Sequence, residues 1–130
     1  MRTFLIGWIA AVVALAVLDA LWLGVLARDL YRDKIGPLLL DQPRWGAALL
    51  FYLLHTVGIV VFPLALAQGW LGAVLYGALF GLVVYGAYDF TNLATLRGWP
   101  ASLTVIDLAW GTAVTAVACL AAFLAIRATA

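Results

Sequence analysis

The sequence predicts an all-α fold, a polytopic membrane protein built as a bundle of four transmembrane helices. Three observations carry that prediction. Of 130 residues, 68% are hydrophobic and 10% charged. A soluble domain averages about half apolar and a quarter charged, so too few charged side chains remain to clothe a water-facing surface, and lipid must be the solvent over most of it. Second, four apolar stretches reach the roughly 17–25 residues needed to cross hydrocarbon. Third, none shows the alternation of a barrel strand, and hydrocarbon tolerates no unpaired backbone donor, so each should be a helix.

The length suits one integral membrane domain over residues 1–130. The first span is read at residues 3–27 and holds one charge, Asp19. Its apolar run is too long for the core of a signal peptide, and no convincing small-x-small site ends it. Residues 28–45 hold most of the charge. Tyr31-Arg32-Asp33-Lys34 is polar there and Ile35-Gly36-Pro37-Leu38-Leu39-Leu40 apolar, a mixture that suits a segment lying at the membrane interface. The second span, 46–67, contains Pro63, which should kink it and free a carbonyl one turn earlier. Only Gln68-Gly69-Trp70 separates it from the third span, 70–92, so the two form a tight hairpin. Thr95 to Pro100 leads to the fourth span, 101–126, with Pro100 suited to a first helical turn.

Several classes fall away. A net charge of +1 supports no nucleic-acid partner. The single cysteine, Cys119, forms neither an internal disulfide nor a cysteine metal site and reads as a packing residue. Abundant Ala and a preference for Arg over Lys point by association to a bacterial source. Arg28, Arg32, Lys34, Arg44 and Arg97 flank one side of the spans, and Arg2 and Arg127 the other. That bias predicts a multi-pass protein of the bacterial inner (cytoplasmic) membrane with the charged loops inside and both termini periplasmic. Trp45, Trp70 and Trp99 flank spans and read as interfacial anchors.

Asp19, Asp89 and Asp107 lie inside the spans, where each costs about 2.5–3.5 kcal/mol at a helix centre. At about 1.5 Å per residue, Asp19 lies roughly 13 Å from Arg28 and Asp107 roughly 10 Å from Pro100. Asp89 lies at a similar depth if its helix runs on to Leu96. Antiparallel threading therefore sets three carboxylates at one depth, on the loop-rich side, with no Lys or Arg equally deep. The neighbourhoods repeat. Asp19 and Trp22, like Asp107 and Trp110, are three apart and share a helix face. Tyr85, Tyr88 and Asn92 form a stripe with Gly77 and Gly81, with Asp89 at its edge, and Gly77-x-x-x-Gly81 admits a close neighbour. Gly111, Thr115 and Ala118 continue the Asp107 face. The expected pocket is thus Asp19, Trp22, Tyr88, Asp89, Asn92, Asp107 and Trp110. His55, Tyr85 and Arg97 are additional candidates, His55 as a metal ligand beside the acids. The competing reading makes each aspartate a helix cap or a partner of Arg97.

These residues also carry a resemblance. Leu18-Asp19-Ala20-Leu21-Trp22-Leu23, Gly77-Ala78-Leu79-Phe80-Gly81, Tyr88-Asp89-Phe90-Thr91-Asn92-Leu93-Ala94-Thr95 and Asp107-Leu108-Ala109-Trp110-Gly111 resemble the DUF2177 family of predicted bacterial membrane proteins over nearly the whole chain. The resemblance implies a class and brings with it no activity, cofactor or catalytic residue. It falls on the same three aspartates that burial cost singles out, and His55 is not part of its motif.

The function expected from the residues is that of a binding or accessory protein whose acidic, aromatic-lined pocket takes a small cation or a lipid head group. The bilayer is its first partner, and a second copy or another membrane protein a further one. The alternative is a proton-coupled transporter, broadly like the small multidrug resistance proteins in having four short helices and a membrane acid, but with three acids and a clear charge bias. A lipid-modifying enzyme ranks last, since no nucleophile–base pair or HxxxH-type metal motif is visible.

Overall fold

The computed structural model describes all residues, 1–130. The chain is mostly helical and has no strand. Helix α1, Arg2–Leu21, runs on through a π turn at Trp22–Leu26. A short helix α2, Leu30–Ile35, and a 3-10 turn at Gly36–Leu38 follow. Helix α3, Trp45–Ile59, continues through a second π turn, Val60–Leu64. Helices α4, Trp70–Thr95, and α5, Ala101–Ala128, complete the bundle. Four helical runs are long and apolar enough to cross a membrane: Arg2–Leu26, Trp45–Leu64, Trp70–Thr95 and Ala101–Ala128.

The lateral surface is apolar because its solvent is lipid. Leu54, Val25 and Leu50 are among many large side chains left outside, which water would penalise and hydrocarbon does not. The core is correspondingly thin. Ala11, Leu15, Ile59, Val114, Ala118, Cys119 and Ala122 form its centre. Apolar burial gives no net drive between helices in lipid, so association depends on close packing and hydrogen bonds.

Helix α5 is the hub, lying along α4 and α1, and its seam with α4 is the most extensive contact. Missing side chains make that seam possible. A Cβ on Gly81 would fall 2.2 Å from the Gly111 carbonyl oxygen, and one on Gly77 2.8 Å from Cys119 Cβ. The connection between the two helices turns at Gly98, whose φ of 78° lies in the left-handed region that glycine tolerates. Helix α3 approaches its neighbours mainly through the π turn around Pro63. Proline has no N–H for the carbonyl four residues back, and the wider turn absorbs the misfit. Toward its N-terminus α3 stands away from the rest, leaving clefts on either side.

The loops add to the expectations and change one of them. Residues 28–45 also pack against the bundle. Helix α2 folds across the end of the bundle and sends Tyr31 inward, while Ile35 packs with Trp99 and Leu103 in a small second core. Leu38, Leu39 and Leu40 remain outside as an apolar strip. Trp99 is no interfacial anchor. It is buried and its indole donates to Thr104 Oγ1 at 3.1 Å, because the turn at Gly98 folds it back on the first turn of α5. Trp45 and Trp70 do lie outside at span ends.

Candidate functional site

Asp19 near the end of α1, Asp89 near the end of α4 and Asp107 in the second turn of α5 are all buried at the loop-rich end. None caps a helix, since no side-chain cap bond closes the start of α1, α4 or α5. Arg97 is exposed and not joined to Asp89.

The hydrogen bonds of the two Asp-x-x-Trp pairs cross over. The Trp110 indole donates to Asp19 Oδ1 at 2.9 Å rather than to Asp107 of its own helix. The Tyr52 phenol donates to Asp19 Oδ2 at 2.6 Å. On the other side the Trp22 indole donates to the Tyr31 hydroxyl at 3.0 Å, which donates in turn to Asp107 Oδ1 at 2.5 Å. The two indoles stack 4.5 Å apart at 6°, so the aromatic pair ties the two acids into one assembly. The π turn after Leu21, closed by the Ala27 N–H on the Trp22 carbonyl at 2.7 Å, lies where Trp22 meets Trp110 and Tyr31. Such turns often mark functional sites.

Asp89 differs from the other two. Its side chain is 0% exposed, and no N–H or O–H donor reaches either carboxyl oxygen. Asp19 is connected to Asp107 through the stacked indoles and Tyr31. Tyr88 is 55% exposed and stands edge-on against Trp99, and Asn92, one turn on, is partly exposed. Both therefore sit at the rim rather than in the acidic centre. Tyr85 is half-buried, and its ring occupies the space over Gly111, where a Cβ would come within 2.1 Å of it.

His55 belongs to a different environment. Its Nε2 lies 3.2 Å from Thr115 Oγ1, its Nδ1 has no partner, and Phe51, Phe80 and Tyr85 surround the ring. No three His, Cys, Asp or Glu side chains come together as a metal set, so the metal-ligand expectation for His55 finds no geometry here.

Two clefts flank the acids. One of about 380 Å³ is lined by Phe51, Val84, Tyr85, Tyr88 and Asp107. The other, about 640 Å³, is an open groove between α1 and α3, apolar except for Asp19, Tyr52 and Thr56. Burial, and then the bond to Asp107, push the Tyr31 phenol above its ordinary range.

Tyr31 and Tyr52 were not legible as site residues from the sequence. Tyr52 had a signal. It lies seven residues into α3, about 10 Å deep, the depth of the aspartates, and a depth count of every polar-tipped residue finds it. Tyr31 had none, since helical depth has no meaning in a loop.

A protein-family model described as a predicted membrane protein (DUF2177) matches residues 4–124. No curated protein and no solved structure matches the chain.

Proposed function

Since the chain belongs to the DUF2177 family of predicted membrane proteins, lipid surrounds its four spans, and we propose that it is a binding protein whose intramembrane cleft takes an ammonium-type cation, free or on a lipid head group. The observation that carries this reading is the 380 Å³ cleft, where Asp107 is set among Phe51, Tyr85 and Tyr88. Aromatic faces attract a cation through their quadrupoles, by about 2 kcal/mol or more when water is excluded. A carboxylate within the same walls supplies the counter-charge. The donor that reaches Asp107 is the neutral Tyr31 phenol, and the nearby Lys34 ammonium is engaged with Ser102 Oγ at 2.6 Å. No cationic side chain is bonded to Asp107, which leaves its carboxyl group open to a ligand. The charge bias of the loops orients this cleft toward the cytoplasmic leaflet of a bacterial inner membrane, with both termini periplasmic.

A transporter would need a way through to the other side. The core of Ala11, Leu15, Val114, Ala118 and Ala122 fills that half of the bundle, which favours binding over passage. Nor does an enzyme fit well. The one hydroxyl–imidazole pair joins Thr115, which is wholly buried, to His55, whose other ring nitrogen has no carboxylate to orient it.

The test is a titration with tetramethylammonium in bilayers of phosphatidylglycerol, which carries no ammonium group of its own. Tryptophan fluorescence reports binding through the Trp22–Trp110 stack. Saturable binding, weakened at least about tenfold in Asp107→Asn, is the expected result; tenfold corresponds to about 1.4 kcal/mol. An absence of saturation, or equal affinity in Asp107→Asn, would remove the reading.

A further inference from the structure

We propose that the cleft between α3 and α4 is a second ligand site, one that takes the head ring of a lipid-soluble quinone, with His55 Nδ1 donating a hydrogen bond to a ring carbonyl. The cleft holds about 370 Å³, within the roughly 300–1,000 Å³ usual for small-molecule pockets. Phe51, Phe62 and Phe80 give it aromatic walls, and Val57 and Val61 complete much of the rest. It adjoins the acidic cleft at Phe51 and Val84 but contains no acid. His55 is the one polar side chain in its lining.

The hydrogen bonds of the imidazole identify what is missing. Its Nε2 lies 3.2 Å from Thr115 Oγ1, and its Nδ1 is buried with no partner. Thr56 and Thr112 donate their hydroxyls to carbonyls of their own helices, whereas the Thr115 hydroxyl has no bond besides that to His55. The Thr115 O–H therefore donates to Nε2, and in a neutral imidazole the ring proton then sits on Nδ1. In a charged ring both nitrogens carry protons, so Nδ1 would donate there too. Either way it is a donor without an acceptor. No water in hydrocarbon supplies one, and a buried donor left unmet is costly. A ligand carbonyl is the group that fits.

Depth selects which carbonyl. Trp45 opens α3 and lies exposed at the end of that span. His55 is ten residues further along, about 15 Å at the helical rise of about 1.5 Å per residue. The hydrocarbon layer is about 30 Å thick, so the donor stands near its middle, out of reach of the ester carbonyls at the lipid glycerol. A quinone, by contrast, takes its carbonyls into hydrocarbon on an apolar tail. The rings around His55 suit a planar guest. Phe51 and Phe80 are tilted 31° and 32° to the imidazole, with centroids at 5.4 and 5.9 Å, and aromatic faces favour offset stacking at such separations. Because Nδ1 is covered, the guest reaches it by displacing the Phe51 ring, which is 42% exposed to lipid. The site is independent of the ammonium reading, whose acid, Asp107, lines the other cleft.

The protein has a single histidine, so nitrogen-15 labelling of histidine yields one imidazole spectrum by NMR in bilayers. Without ligand Nδ1 should carry a proton; a bare Nδ1 would be an acceptor and would overturn the assignment. Adding decylubiquinone should shift the Nδ1–H resonance saturably, and decane, which has no carbonyl, should not. No saturable shift with the quinone, or the same shift with decane, removes the site. The titration is run in ether-linked and in ester-linked lipid. A shift that needs only ester lipid, with no quinone present, would assign the acceptor to the bilayer and overturn the quinone reading. Val57→Trp, which narrows the cleft without removing the donor, should abolish the quinone shift and leave the free imidazole spectrum as it was. His55→Phe keeps an aromatic ring and loses the donor, and partitioning of radiolabelled decylubiquinone should show its affinity lowered by about fivefold or more. Equal affinity in His55→Phe overturns the hydrogen bond, and equal affinity in Val57→Trp overturns the cleft, whatever the tetramethylammonium titration gives.

Discussion

The α4–α5 seam and the α3 side of the bundle solve the same problem in opposite ways. Along the seam, Gly77, Gly81 and Gly111 let two backbones touch, and dispersion over a long contact does the holding. On the other side α3 stands off from α1, leaving the 640 Å³ groove. Single hydrogen bonds span that distance: Tyr52 to Asp19 at 2.6 Å and the Trp8 indole to Thr56 Oγ1 at 2.9 Å. In lipid, water does not push apolar helices together, so large side chains keep helices apart unless a polar tip reaches across. The tight seam is the frame, and the loose side is where room for a ligand exists.

The largest effect should come from breaking the frame. Gly81→Val sets a Cβ against the Gly111 carbonyl and Thr115, backbone and a branched side chain that cannot easily move. Overpacking typically costs about 1–3 kcal/mol and occasionally more, and this site should lie at the top of that range. Unfolding by denaturing detergent measures it, and a loss no greater than that of the hydrogen-bond variants below would put the frame elsewhere.

Next is the link across the open side. Tyr52→Phe keeps the ring and removes a donor to Asp19. Bonds to charged groups contribute about 1.5–3 kcal/mol in proteins generally, and interhelical bonds in bilayers average about 0.6 kcal/mol, so a loss of about 1 kcal/mol is expected. Cysteine cross-linking between α1 and α3 should report wider separation. Unchanged cross-linking would mean that lipid packing, not this bond, sets the spacing.

A smaller loss should follow Trp22→Phe. The aromatic face that stacks on Trp110 remains and only the bond to the Tyr31 hydroxyl is lost, about 0.5–1 kcal/mol on the same scale. Trp22→Ala removes both and should cost clearly more. Equal losses in the two variants would show that the stack contributes little.

The smallest effect is a pH dependence of how α2 docks. A phenol ordinarily loses its proton near about pH 10, and burial, then Asp107, hold the Tyr31 proton to higher pH. The folded state binds that proton more tightly than the unfolded one. Its contribution is therefore complete below about pH 10 and declines as pH rises toward the folded value. Near-ultraviolet dichroism of the Trp22–Trp110 stack should fade in the alkaline range, and Tyr31→Phe should remove part of that fading. An identical profile in Tyr31→Phe would assign it to other tyrosines.

Much of this comparison was open to reading in the sequence, and its limits are physical. Gly77 and Gly81 announced the seam because a three-residue gap between small residues fixes a helix face whatever the partner. Asp19, Asp89 and Asp107 announced a common depth because rise per residue is constant in a helix and the cost of a charge in lipid is high. Partner choice was hidden. Within one helix, spacing pairs Asp19 with Trp22 and Asp107 with Trp110, and the folded bundle crosses those bonds. Crossing depends on how α1 and α5 rotate about their axes, and the helices have weak amphipathic bias, since lipid and core are both apolar.

The sequence by itself thus determined four apolar helices, the small-residue seam and the level of the acids, all of which follow from local composition and helical geometry. Only the tertiary structure decided that Tyr31 comes down from the loop onto Asp107, that Tyr52 reaches Asp19, that Trp99 turns inward and that Asp89 is buried without a donor. Those outcomes rest on rotation, tilt and loop closure. Each is set by contacts between residues far apart in the chain, for which a single helix carries no record.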